Sequence, residues 1–382
     1  METKKKGFPT AFWVCACTEI FERLAYYLGR SLILIFVTAS VATGGLGLSD
    51  TVAANMQSNL TAFSYLLPLF GAVIVDKYIG ARYTTPVGMF IAAAGYFTGG
   101  IAKSSAGVYA MIFLVSLGLA LFKNGAIIGR VITDKSQMDP AFSMRYTLVN
   151  VGAFIGTFLV GILYKDVFAK DGVLGFAPCF KMAALMMVLG GLWYIFVCWR
   201  FLGDLGKLPF KKTLTEEEKA AEAKKKEETG TKQPLTTIEK KRIGAIFVAS
   251  LFSIVFWIFW YLGYMPVYFY WAENMDWVVA GYQVPSTWFD AANSLFCVIL
   301  GPVTAALWKK LAARPQGDMS LFRKTGLGIA IIGVGYLFYA AIDIMRGGEK
   351  ASVLWLIVFA FLLTMGEMFF SPLGHSFISK YS

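Results

Sequence analysis

Charge is scarce in this sequence, and so are the residues that most metal sites use. Charged residues make up 15% of its 382 residues, whereas a soluble domain normally carries about 25%. His375 is the only histidine, which excludes a histidine-based metal cluster. The five cysteines have no CxxC spacing, so we expect free buried thiols rather than disulfides or metal ligands. No cofactor is predicted.

Enzyme motifs are also missing from the sequence. It contains no HExxH zinc motif, no phosphate-binding P-loop and no GxSxG nucleophile elbow, and no nucleophile–base pair stands out. We therefore predict that the protein is not an enzyme, and a membrane-embedded enzyme is the least supported of the functions considered below.

Apolar residues, by contrast, make up 57% of the chain. Long apolar runs recur along it, each close to the roughly 20 residues that a helix needs to cross a bilayer. These runs predict an all-α polytopic membrane protein with ten transmembrane helices. The predicted spans are 11–40, 51–76, 84–103, 107–129, 143–164, 175–201, 243–271, 286–308, 322–345 and 352–379.

A charged segment divides these spans into six plus four. Residues 203–242 are rich in Lys and Glu and poor in large apolar residues, which predicts a solvated linker, helical around 216–226. The predicted domains are therefore an N-terminal six-helix bundle (1–202), this linker and a C-terminal bundle (243–382). Because transporters are often built from matched halves, we expect that the last two of twelve spans are missing.

The net charge of +11 has two explanations. One is nucleic-acid binding, and the other is that Lys and Arg collect in the cytoplasmic loops of membrane proteins. The second fits better, because the basic residues concentrate on one side of the predicted spans, beginning with Lys4, Lys5 and Lys6. We predict a multi-pass protein of the cell membrane with a cytoplasmic N-terminus and no nucleic-acid partner.

The stretch TEIFERLAYYLGR, residues 18–30, places charge inside the first span. At 100° per residue, one face with an arc of about 140° collects its polar and aromatic residues. The residues on this face are Glu19, Glu22, Arg23, Tyr26, Tyr27 and Arg30. Charge inside a membrane helix is costly and marks a functional site, whereas the alternative, a static packing salt bridge, stabilises weakly. Neighbours diverge by about 100°, so we expect Arg23 to reach Glu19, four residues earlier.

Two further charges lie inside predicted spans. Lys123 is in the fourth span and Glu367 in the tenth. One base and one acid would suit the two ends of a zwitterionic solute. The alternatives are that Lys123 extends to the membrane surface and that Glu367 forms a packing ion pair.

These segments resemble the proton-dependent oligopeptide transporters, a branch of the major facilitator superfamily. EIFERLAYY is similar to the ExxERFxYY motif of that family, with Leu24 in place of the usual Phe. Further similar segments follow in family order: GAVIVDKYIGARYT, FSMRYTLVNVGAF, STWFDAANSLFCVILGP and GEMFFSPLGHS. The resemblance implies the major facilitator fold and proton-coupled symport of di- and tripeptides by alternating access.

The resemblance also implies roles for individual residues. Glu367 would bind the amino terminus of the peptide, and Arg30 and Lys123 would bind its carboxylate. The other implied substrate-binding residues are Tyr26, Tyr27, Tyr65, Asn150, Asn293 and Ser371. The implied proton-coupling and gating residues are Glu19, Glu22 and Arg23. The implied partners are a di- or tripeptide, protons and the lipid bilayer, and we expect a monomer.

The seventh span departs from the family pattern. The family carries an acid and a glutamine shortly after FW, where this sequence has Trp260, Tyr261 and Leu262. That acid normally pairs with the arginine at Arg30 to close the outer gate. We hypothesise that Asp290, near the outer end of the eighth span, replaces it in proton coupling and gating.

Four other positions also depart from the pattern. Asn124 follows Lys123 where the family has proline, and Arg145 and Thr147 differ from the fifth-span signature. His375 stands where the family has an apolar residue, and an interfacial histidine is a better explanation than a second titratable site. Two functions therefore remain open beside peptide import: transport of another anionic or zwitterionic solute, and a non-transporting membrane sensor.

Overall fold

The structure, a computed structural model, describes residues 7–133, 138–209, 237–264, 266–312, 314–315 and 319–381. The chain forms two compact units, Met1–Thr215 and Glu216–Ser382. Most of the predicted linker, including the helix expected around 216–226, lies outside the described residues. The side chains of 371–381 lie outside them too, so the expectations for Ser371 and His375 stay predictions.

The first unit is built of helices. They are α1 (Thr10–Thr38), α2 (Asp50–Lys77), α3 (Ala81–Ile101), α4 (Ser105–Leu121), α5 (Asn124–Val131), α6 (Met138–Ile162), α7 (Phe176–Trp193) and α8 (Trp199–Phe201). A 3₁₀ turn covers Val41–Thr43, and π-helical segments extend α6 over Leu163–Val167 and α7 over Tyr194–Cys198.

The second unit adds short strands to its helices. Its helices are α9 (Thr237–Leu262), α10 (Pro266–Asn274), α11 (Trp288–Ala312), α12 (Leu321–Arg346) and α13 (Leu354–Tyr381). Its strands are β1 (Met275–Asp276), β2 (Val278–Val279), β3 (Tyr282–Gln283) and β4 (Ala351–Ser352). Strand β1 pairs with β4 in parallel, and β2 pairs with β3 in a hairpin whose turn residues, Ala280 and Gly281, both have positive φ.

The predicted membrane architecture is confirmed in its main features. Every predicted span overlaps a helix or a pair of helices. By length and composition, six helices of the described chain could cross a membrane, and Ser250–Leu262 and Leu354–Phe370 are shorter apolar helices.

The structure differs from the prediction where two spans break. The fourth divides into α4 and α5 at Phe122 and Lys123, because Phe122 takes an extended ψ of 97°. The seventh divides into α9 and α10, and α10 begins at Pro266. Proline has no N–H to donate back to a preceding turn, so it favours the first position of a new helix. Helix α9 also begins at Thr237, inside the predicted linker.

Glycines bring the backbones of α1 and α6 into direct contact. A Cβ on Gly152 would lie 2.8 Å from the Ile20 carbonyl oxygen, and one on Gly156 would lie 2.5 Å from that of Leu24. This GxxxG spacing lets membrane helices approach more closely than larger residues allow. Side chains of α6 therefore reach the charged face of α1.

In the second unit, an ionic cluster joins α10 to the end of α12. The Arg346 guanidinium donates to Asp343 Oδ1 at 2.6 Å and to the Tyr270 hydroxyl at 2.7 Å, and Tyr270 also hydrogen-bonds Asp343. Arg346 lies in the last turn of α12, where a cation complements the helix dipole. The cluster therefore anchors the helix that follows the break in the seventh span.

We predict that Gly156→Ala lowers the unfolding midpoint of the purified protein in detergent. The added methyl group meets the α1 backbone, and overpacking of this kind costs about 1–3 kcal/mol. The control is Gly129→Ala in the same unit, where the nearest atom to a Cβ is Phe142 Cζ at 3.4 Å. Equal midpoints for the two variants would contradict the close α1–α6 contact.

Candidate functional site

The charged face of α1 carries two separately paired carboxylates. Glu22 is fully buried, and both of its oxygens accept hydrogen bonds from Arg23, at 2.5 and 2.7 Å. The expectation that Arg23 reaches Glu19 is therefore wrong. A helical-wheel projection gives only the direction of each Cβ, whereas the Arg23 side chain is long enough to reach the neighbouring Glu22.

Glu19 takes its partners from two other helices. Its Oε1 accepts a hydrogen bond from Asn124 Nδ2 at 3.0 Å and from Arg145 Nε at 3.0 Å. Asn124 begins α5 and Arg145 lies on α6, so one buried carboxylate joins three helices. Sequence reasoning gave neither residue a role. The available signal was that both are polar, lie in apolar spans and depart from the family pattern.

Aromatic rings and a second arginine continue the same face. The rings of Tyr26 and Tyr27 meet edge to face, with centroids 5.4 Å apart. The Arg23 guanidinium lies 5.1 Å from the Tyr26 ring centre, and that of the buried Arg30 lies 5.7 Å from the Tyr27 ring centre. Such cation–π contacts hold a guanidinium in place without neutralising its charge. Tyr65, in contrast, is 71% exposed.

Lys123 lies at the break between α4 and α5. Its ammonium donates a hydrogen bond to the Pro68 carbonyl oxygen of α2 at 2.8 Å. A carbonyl supplies a hydrogen bond but no countercharge, so the amine keeps its attraction for an anion. The Asn150 amide instead donates to the Tyr146 carbonyl oxygen of its own helix at 3.0 Å. No hydrogen bond among the described residues joins Asn150 to Lys123.

The second unit has an acidic centre between α11 and α13. Glu367 is 7% exposed, and its Oε2 accepts a hydrogen bond from Asn293 Nδ2 at 2.9 Å. The same amide donates to Thr364 Oγ1 at 2.9 Å, and the Thr364 hydroxyl donates to the Ala360 carbonyl oxygen at 2.7 Å. The structure therefore brings together Asn293 and Glu367. Thr364 was missed, although it lies three residues before Glu367 on the same helix face.

The altered part of the seventh span belongs to an aromatic core. Trp260 is 8% exposed and its ring centre lies 4.5 Å from that of Tyr264, which lies 5.0 Å from that of Phe289. Asp290 follows Phe289 in the first turn of α11, three residues before Asn293. An acid in a first helical turn is favoured by the helix dipole. The region of Trp260, where the family has its acid, is thus part of the aromatic core. Asp290, the proposed substitute, lies on the neighbouring helix α11.

Comparisons with known proteins show similarity to peptide transporters. A family profile described as PTR2: POT family matches residues 203–382. The di-/tripeptide transporter of Lactococcus lactis subsp. cremoris is 24% identical, over 98% of this chain and 84% of its own length. The uncharacterized transporter YclF of Bacillus subtilis (strain 168) is also 24% identical, over 98% of this chain and 82% of YclF.

The fold is shared as well. A solved structure of a mutant of the peptide transporter POT, in complex with sulfate, superposes with a TM-score of 0.85 at 24% identity. The superposition covers 99% of this chain and 84% of that one. The resemblance to the POT family is therefore supported by a family profile over residues 203–382 and by relatives that match nearly the whole chain. The chain is a multi-pass membrane protein with the fold of these transporters, as its sequence predicted.

We predict that Asn293→Ala lowers the unfolding midpoint of the purified protein in detergent. The substitution removes a donor from the buried Glu367, and leaving such a group short of a partner costs about 1–3 kcal/mol. The control is Asn274→Ala, because the Asn274 amide donates within its own helix, to the Tyr270 carbonyl oxygen. A midpoint as high as that of the control would show that Asn293 does not support Glu367.

Proposed function

We propose that this protein is a proton-coupled symporter that imports di- and tripeptides by alternating access. The observation that carries the proposal is a pair of buried or half-buried centres of opposite charge. The basic charges are the buried Arg30 and the half-buried Lys123 of the first unit, and the acidic charge is the buried Glu367 of the second. A peptide is a zwitterion, so it complements both centres.

The substrate roles follow from the charge of each centre. The carboxylate of the peptide binds Arg30 and Lys123. The Lys123 ammonium, which donates a hydrogen bond to the Pro68 carbonyl oxygen, exchanges this acceptor for the peptide carboxylate. The amino terminus of the peptide binds Glu367, beside the Asn293 amide. Further substrate contacts are assigned by resemblance to Tyr26, Tyr27, Tyr65, Asn150 and Ser371.

Proton coupling is assigned to the first helix. Protonation of Glu22 removes the negative charge that holds Arg23, so the guanidinium is released and the gate rearranges. Return of the proton to the cytoplasm restores the pair and favours release of the peptide. The membrane potential contributes about 2.3 kcal/mol per charge per 100 mV. Asp290 takes the place of the missing seventh-span acid in this scheme.

The remaining assignments concern the whole molecule. We place it in the cell membrane with a cytoplasmic N-terminus, as a monomer, with bundles 1–202 and 243–382 joined by the linker 203–242. Its relatives named above are transporters, which supports a function other than catalysis.

We predict that dialanine drives proton uptake into proteoliposomes that hold a negative-inside potential. Glu22→Gln should abolish the uptake, because glutamine neither binds nor releases a proton. The matched control is Glu273→Gln, which changes an exposed glutamate of α10 and should leave the uptake unchanged. Proton flux is followed with a pH-sensitive dye inside the vesicles.

The outcomes of this measurement separate the candidate functions. No dialanine-dependent flux, in protein that elutes as a single folded species, would overturn peptide transport and direct the same assay to other small zwitterions and anions. A protein that moves none of these solutes would be a sensor.

A further prediction concerns the substitute for the seventh-span acid. Asp290→Asn should reduce dialanine-driven proton uptake while leaving dialanine exchange across the membrane at equal pH intact, because only the titratable group is lost. Unchanged proton coupling in Asp290→Asn would remove Asp290 from the scheme.

A further inference from the structure

Two residues at which this chain departs from its family converge on a single oxygen atom. Asn124 is fully buried, and its amide donates to Glu19 Oε1 at 3.0 Å and to the Cys15 carbonyl oxygen at 2.8 Å. Arg145 Nε donates to the same Glu19 oxygen at 3.0 Å. Both partners therefore stand at positions where this chain departs from the family pattern, and both bond the same carboxylate of the family motif.

The two partners differ in their chemistry. A guanidinium has only donors and a fixed positive charge, so the bond from Arg145 to Glu19 is charge-assisted only while the carboxylate is ionised. An amide has a donor and an acceptor. The buried Asn124 Oδ1 has no hydrogen-bond partner in the described structure, and a turn of the amide would let it accept from a protonated Glu19. Asn124 can thus hydrogen-bond Glu19 in its ionised and its protonated form, whereas Arg145 favours the ionised form.

The positions of the partners also differ from those around Glu22. Arg23, the partner of Glu22, lies on the same helix and moves with it. The partners of Glu19 lie on α5 and α6, so movement between helices changes the environment of Glu19. Asn124 directly follows Lys123, which lies at the break between α4 and α5 and donates a hydrogen bond to the Pro68 carbonyl oxygen. We call this break the hinge.

We propose that Asn124 and Arg145 are positioning residues that link the protonation of Glu19 to the hinge at Lys123. Protonation of Glu19 releases Arg145 and α6, while Asn124 keeps α5 attached to α1 in both states. A substrate carboxylate that draws Lys123 away from Pro68 acts on the same hinge. The proposal deepens the proposed function and rests on it for the identity of the solute.

Several other titratable groups surround Glu19. Its own helix supplies Cys15, Glu22 and Arg23, and α6 supplies Arg145. The segment that extends α7 brings Tyr194 and Cys198 beside Cys15. Arg145 is the cation that bonds Glu19 directly, which makes it the group to vary.

The first test uses the unfolding midpoint of the full chain in detergent and needs no solute. Arg145→Gln should lower the midpoint in the wild-type background but not in the Glu19→Gln background, where no charge remains to be paired. Asn124→Ala should lower it in both backgrounds. Thr147→Ala is the control, because the Thr147 hydroxyl donates to the Ser143 carbonyl of its own helix. It should change neither midpoint.

An equal effect of Arg145→Gln in the two backgrounds would overturn the charge-dependent role of Arg145. An effect of Asn124→Ala confined to the wild-type background would overturn the role of Asn124 in both states. These midpoints are measured without a solute, so the test holds even if the protein does not transport peptides.

The second test separates coupling from binding. Arg145→Gln should retain dialanine counterflow at equal pH but reduce proton-driven accumulation by about tenfold, within the usual range of coupling between sites. Arg145→Lys should restore part of the accumulation. Loss of both activities in folded protein, or retention of both, would overturn the coupling role. Absence of dialanine counterflow in the wild type would instead count against the proposed function. The unfolding midpoints of the single and double variants would still test the roles of Asn124 and Arg145 at Glu19.

Discussion

The structure depends on the constraint that a charge buried in a membrane protein requires a partner. Removing one partner of a buried ion pair costs about 3–5 kcal/mol, because the other charge is left uncompensated. Glu22 meets this requirement within α1, through Arg23. Glu19 meets it through α5 and α6, and Glu367 is supported from α11 by Asn293. The bonds of Glu19 and Glu367 therefore help to fix which helix faces meet, whereas the Glu22–Arg23 pair stays within one helix.

Close backbone packing makes these pairings possible. Gly152 and Gly156 let α6 lie against the α1 backbone, so Arg145 on α6 reaches Glu19 with its guanidinium at hydrogen-bond distance. Elsewhere in the first unit, a Cβ on Gly71 would lie 2.0 Å from the Ala120 carbonyl oxygen, so α2 and α4 are equally close beside Lys123. Small residues and charged residues thus act together: the first bring helices near, and the second fix how they are aligned.

The sequence predicted the spans well and the contacts less well. Apolar runs locate the helices because crossing a bilayer sets a minimum length of apolar chain. The contact of Glu19 with Arg145 could not be predicted, since the two residues are far apart in sequence and periodicity reports only one helix at a time. The two-residue strands β1 to β4 are too short for any alternating pattern. The family motif indicated Asn293 and Glu367, whereas Thr364, Asn124 and Arg145 lay outside it.

The central claim is that buried charges couple proton movement to a zwitterionic solute. The most direct test is the number of protons that enter proteoliposomes for each dialanine molecule, measured at several membrane potentials. The account predicts a fixed, non-zero ratio, because each transport cycle must neutralise and then restore the same buried carboxylates. A ratio of zero, or one that drifts with the potential, would contradict it.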